Sequence, residues 1–103
     1  MRPEIALRTA QVLHEAWRPW AAADWVVEAA EGTQDPDERS SLFLLAASYF
    51  VEARQFALAA QATTRSARIW NRASEWTTAA HYYALAGDTQ SEESCRGQGR
   101  ARA

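Results

Sequence analysis

Two stretches of this chain repeat one another. Phe43-Leu-Leu-Ala46-Ala47-Ser-Tyr-Phe50 and Trp76-Thr-Thr-Ala79-Ala80-His-Tyr-Tyr83 both read aromatic-x2-small-small-x2-aromatic, and they stand 33 residues apart. Positions three and four apart share a helical face, so each stretch sets two rings and two alanines along one stripe. A helical unit recurring at this interval cannot bury its apolar face alone and must stack on its neighbours. The fold class expected is therefore all-α, and no strand-like alternation interrupts the helical periodicity.

Local signals divide the chain into six helices. Pro3 and Glu4 open the first, with Ile5, Thr9, Val12, Leu13, Ala16 and Trp17 as its expected apolar face. Pro19 breaks the pattern, and a second helix from about Trp20 to Ala30 buries Ala22, Trp25, Val26 and Ala29 before stopping at Gly32. Asp35-Pro36-Asp37-Glu38 combines a capping acid, a proline at the first helical position and a further acid, and starts a third helix that reaches Glu52. Nothing in Arg54-Gln55 breaks a helix, so a turn there follows from the repeat alone. The fourth helix buries Phe56, Ala59, Ala60, Thr63, Ala67 and Trp70. Ser74 is expected to cap a fifth that ends at Gly87, and Thr89-Gln-Ser-Glu92 has capping-box spacing for a short sixth.

These residues resemble the tetratricopeptide-repeat family. Trp76, Ala79, Ala80 and Tyr83 match its first-helix signature, with Ala-Ala in place of the usual Leu-Gly. Gly87-Asp88 matches the turn between paired helices, and Ala59 the second-helix alanine. The likeness is clearest over residues 41–95 and looser over 5–31; an aromatic near Thr63 and a proline near Asn71 are missing. The resemblance implies about six helices in three antiparallel hairpins, stacked as a short right-handed solenoid. Residues 1–96 form one helical-repeat domain, with hairpins at about 3–31, 36–71 and 74–96, and 97–103 a flexible C-terminal tail. In that geometry the first helix of each hairpin lines a groove. The matching positions are Ser41, Leu44, Leu45, Ser48, Val51 and Glu52, then Thr77, Thr78, His81 and Leu85. They lack the Arg, Lys and Asn set with which the family clamps a C-terminal carboxylate. An amphipathic helix or extended apolar peptide is the better-matched ligand.

Composition narrows the function classes. The net charge is −2, which argues against general nucleic-acid affinity. The charge is uneven: residues 1–53 hold nine acids and four Arg, net −5, and residues 54–103 four acids and seven Arg, net +3. Arg is the sole basic residue beside abundant Ala, a GC-rich coding pattern that points to a bacterial source. The apolar run Leu42 to Ala47 is far too short to span a bilayer, and the N-terminus lacks a signal-peptide core, so a cytoplasmic location is expected.

No catalytic, metal or cofactor motif emerges. His14-Glu15 lacks a second His four residues on, Cys95 stands alone as a tail or helix-end thiol, and there is no phosphate-binding glycine loop. The five Trp are assigned to packing, with Trp20 the best placed for binding. Arg65, Arg68 and Arg72 fall at i, i+3 and i+7 and are expected to share a face of the fourth helix, either solvated or meeting an acidic partner. That partner could be the acidic half of a second copy, giving head-to-tail self-association. The expectation is a non-catalytic protein–protein interaction module, with a regulatory or oligomerisation domain of a larger bacterial signalling or transcriptional regulator as its rival. A small helical enzyme or nucleic-acid binder is the weakest alternative.

Overall fold

The structure, a computed structural model, describes residues 2–102. Among them are six helices and no strand: α1 (Pro3–Glu15), α2 (Pro19–Glu31), α3 (Pro36–Glu52), α4 (Phe56–Trp70), α5 (Ala73–Ala86) and α6 (Thr89–Arg102). Proline is the first residue of α1, α2 and α3, where its missing N–H costs no helical bond. Asp35 caps α3 as expected, its carboxylate accepting from the Asp37 amide at 3.2 Å.

One turn geometry recurs three times. Trp17, Arg54 and Gly87 follow α1, α3 and α5 with φ of +60°, +58° and +80°. In each case the next amide reaches back five residues: Arg18 to the Leu13 carbonyl at 2.9 Å, Gln55 to Phe50 at 2.8 Å, Asp88 to Tyr83 at 2.9 Å. This is the Schellman closure, which satisfies carbonyls orphaned at a helix end and fixes how the chain leaves it. The turn at Arg54 that the repeat required is therefore present.

The shared turn aligns the helices before it. Counting back from Leu13, Phe50 and Tyr83, Ala6 and Ala10 of α1 occupy the places of Phe43 and Ala47 in α3 and of Trp76 and Ala80 in α5. All six side chains are buried. The expected face of α1 is thus corrected by about one position: Ala6 and Ala10 turn inward, while Ile5 and Val12 remain 54% and 61% exposed. Alanine on the buried stripe lets helix axes approach to about 8 Å, and larger residues would hold them apart.

Each helix packs chiefly on its neighbours in the chain. The main core joins Ala10, Ala22, Val26, Ala46, Phe50 and Ala59, and a second cluster joins Ala67, Trp76, Ala79, Ala80 and Cys95. A buried polar chain ties α3, α4 and α5 together. Ser40 Oγ lies 2.6 Å from Ser66 Oγ, and the Ser66 hydroxyl donates to Glu75 Oε1, so Ser40 donates to Ser66. The second Glu75 oxygen has no hydrogen bond and faces Arg72 Nη1 at 3.6 Å.

Three boundaries differ from expectation. The cap of α6 is Asp88, one residue before the expected box: its carboxylate accepts from the Ser91 amide at 3.1 Å and the Ser91 hydroxyl at 2.7 Å. These bonds, the hydroxyl's foremost, hold the Asp88 carboxyl below its ordinary range. Helix α5 begins at Ala73, and Ser74 makes no cap. Residues 97–102 are helical rather than a tail, because Gly99 is buried against α5, where a Cβ would meet Thr77 Oγ1 at 3.3 Å.

The equivalence of the three turns has an opposite-sign test. Arg54→Gly removes a left-handed Cβ penalty and should stabilise the fold by about 1 kcal/mol, and Gly87→Ala should destabilise it by about as much. A Cβ at Gly87 would have nothing within 4 Å, so its cost is one of backbone conformation alone. Urea denaturation of both variants measures the pair.

Candidate interaction surface

The register that buries Phe43, Ala46, Ala47 and Phe50 exposes the positions between them. Leu44, Leu45 and Ser48 stand outward on α3, and Thr77, Thr78 and His81, each 33 residues later, stand outward on α5. Glu52 and Leu85 form the next such exposed pair, Ser41 is exposed in the second turn of α3, and Val51 is half-buried. Thr77 and Thr78 turn their hydroxyls back to the carbonyls of Ala73 and Ser74, at 3.1 and 2.9 Å, and so present methyl groups more than donors. The surface thus sets three exposed leucines beside the hydroxyls of Ser41 and Ser48 and the His81 ring.

Helix α1 extends this surface, which the sequence reading missed. His14 Nε2 lies 2.8 Å from Glu52 Oε2, and its ring stacks on Tyr49 with centroids 4.4 Å apart. The C-terminal ends of α1 and α3 are thereby held side by side. In the turn-based alignment His14 and Glu15 match Val51 and Glu52, a correspondence visible only once Leu13 is set against Phe50. Between these helix ends lies a cavity of about 620 Å³ lined by His14, Glu15, Trp17, Pro19 and Glu52.

The tryptophans divide. Trp76 is buried and Trp25 half-buried, as packing requires, whereas Trp17, Trp20 and Trp70 are exposed. Trp17 was expected on the apolar face of α1. Instead it lies beyond the helix end, in the left-handed turn, and is 91% exposed.

Arg65, Arg68 and Arg72 do not share a face. Asn71 ends α4 in a left-handed conformation, with φ of +52°, so Arg72 lies outside that helix. Its guanidinium instead pairs with Glu75 and lies 5.9 Å from the Trp70 ring centroid. Arg65 pairs with Glu31 at 3.2 Å and covers the Phe43 ring at 4.3 Å. Arg68 alone of the three makes no ion pair among the described residues. Two of the three are therefore engaged within the chain, which leaves no continuous basic stripe.

Cys95 is also relocated. It sits within α6, buried, with its sulfur 4.0 Å from Thr64 Oγ1. Burial pushes the thiol pKa up, outweighing the Thr64 hydrogen bond and the nearby Arg68 charge. Among the described residues no group of three or more His, Cys, Asp or Glu side chains could hold a metal ion. Nor is any described helix long and apolar enough to cross a membrane. No protein-family model, curated protein or solved structure matches this chain.

A buried, protonated Cys95 predicts slow modification. At neutral pH an aromatic disulfide reagent should react with the native chain at least about tenfold more slowly than with the urea-unfolded chain. Equal rates would place the thiol at the surface.

Proposed function

We propose that this chain is a non-catalytic protein-interaction module of tetratricopeptide-repeat type, in which three antiparallel hairpins stack as a short right-handed solenoid. The odd-numbered helices form the binding face, and a peptide segment or partner subunit lies along it. The observation that carries this reading is the conjunction of burial and exposure at one register. The pairs Ala46/Ala47 and Ala79/Ala80 are buried, while Leu44, Leu45 and Ser48 and their counterparts Thr77, Thr78 and His81 are exposed. The recurring left-handed turn supports the hairpin arrangement, since it ends the first helix of each pair. Exposed leucines among hydroxyl-bearing residues suit an amphipathic helix or an extended apolar strand.

One observation favours a second reading, that of a regulatory or oligomerisation domain of a larger bacterial regulator. Helix α1 presents Ile5 and Val12 outward, with Trp20 of α2 also exposed, whereas α6 carries no exposed large apolar side chain. The α1 end of the array thus offers apolar area on which another helix or subunit could pack, while the α6 end is polar as a capping element is.

Peptides selected from a random library on the wild-type chain test the face. Leu45→Glu and Leu85→Glu should each weaken them by roughly tenfold, about 1.4 kcal/mol, while Gln61→Glu, an exposed position on α4, should leave them unchanged. Circular dichroism should show the same helix content in all three variants. Unchanged affinity in both leucine variants would remove this face as the binding surface.

A further inference from the structure

Trp17 carries two local costs at one position. A bulky residue in the left-handed region is strained, and an indole 91% exposed hides almost none of its apolar area. Glycine would avoid both, as it does at the equivalent Gly87. The ring nevertheless forms one wall of the 620 Å³ cavity between the ends of α1 and α3, a volume within the roughly 300–1,000 Å³ of small-ligand sites.

Beside His14 and Pro19, the other two lining residues are the acids Glu15 and Glu52. Glu52 is held in place by His14 at 2.8 Å, and Glu15 is exposed with no ion-pair partner among the described residues. Indole is the best aromatic face for a cation, and a planar guanidinium combines stacking on such a face with hydrogen bonding to a carboxylate. The lining holds two carboxylates and no Arg, within a half of the chain, residues 1–53, that carries net −5.

We propose that this pocket receives an arginine side chain of a partner polypeptide, its guanidinium stacked on the Trp17 indole and paired with the Glu15 carboxylate. The inference rests on the interaction role proposed above and names the chemistry of one anchor on the partner. It also accounts for the position of Trp17: the left-handed turn carries the ring past the end of α1, where the helix cannot cover its face.

Calorimetric titration of the full chain with a hexa-arginine peptide, against its hexa-citrulline counterpart, tests the pocket. Salt is kept at about 0.15 M, where the Debye length of about 8 Å suppresses distant charges. Binding should be specific to the arginine peptide. Trp17→Ala and Glu15→Gln should each weaken it at least about fivefold, and Trp17→Phe, which keeps an aromatic face, should retain it within about threefold. Glu28→Gln, an exposed acid on α2, should change it less than about twofold. Equal binding of hexa-citrulline would overturn the proposal. So would an unchanged affinity in Trp17→Ala, or a loss in Glu28→Gln as large as in Glu15→Gln. Thermal unfolding of each variant separates lost binding from lost fold. If these variants have no effect while Leu45→Glu still weakens the selected peptides, the pocket falls and the face stands; the reverse pattern keeps the pocket and removes the face.

Discussion

A helix that ends on a left-handed residue, with the following amide bonded five residues back, leaves the chain little choice of exit direction. This chain uses that closure after α1, α3 and α5, and each time the next helix starts two residues beyond the left-handed one. Repeating one exit geometry repeats the placement of the helix that follows. The helices before the turns share one buried stripe, Ala6 and Ala10, Phe43 and Ala47, Trp76 and Ala80. Only Gly87 adopts the conformation without a side-chain penalty; Arg54 and Trp17 are held there by the packing on either side.

Close approach is the second half of the design. Ala10, Ala46, Ala47, Ala79 and Ala80 lie where helices touch, and Ala22, Ala23, Ala59 and Ala60 do the same on α2 and α4. Small residues at the contact leave little apolar volume to bury, so Phe43, Phe50 and Trp76 supply most of it. Residues between the stripe positions face outward on α3 and α5, as Leu44, Leu45 and Ser48 and then Thr77, Thr78 and His81 do. The buried Ser40–Ser66–Glu75 chain adds a directional constraint across three helices, because hydroxyl and carboxylate must meet in register to remain satisfied.

Much of this was legible from residue types. The copies at Phe43–Phe50 and Trp76–Tyr83 announce themselves through aromatic rings, and the prolines and Asp35 mark helix starts for local reasons. The register of the first copy was hidden because Ala6 and Leu13 stand where the others have rings, and because its offset from the second is 37 residues rather than 33. Its hidden register also concealed the contact of His14 with Glu52 and the exposure of Trp17. Arg72 was misplaced because Asn71, a residue tolerant of the left-handed region, ends α4 without announcing it. Residues 97–102 read as a tail because glycine is a poor helix former, yet a glycine is what lets α6 sit against α5 at Gly99. The exposed positions Leu44, Leu45 and Leu85 were named through the resemblance, and the cavity at His14, Glu15 and Trp17 was not, since it depends on how two helix ends meet.

Amide hydrogen exchange at three backbone positions bears most directly on the claim that one unit is used three times. The amides of Arg18, Gln55 and Asp88 close the three turns, and each lies in an exposed residue just past a helix end. If the turns are equivalent, all three should exchange at least about tenfold more slowly than the unstructured-chain rate, as closed hydrogen bonds require. Protection at Asp88 alone, with Arg18 and Gln55 exchanging like free loop amides, would contradict the account and leave a single glycine turn where three repeats are claimed.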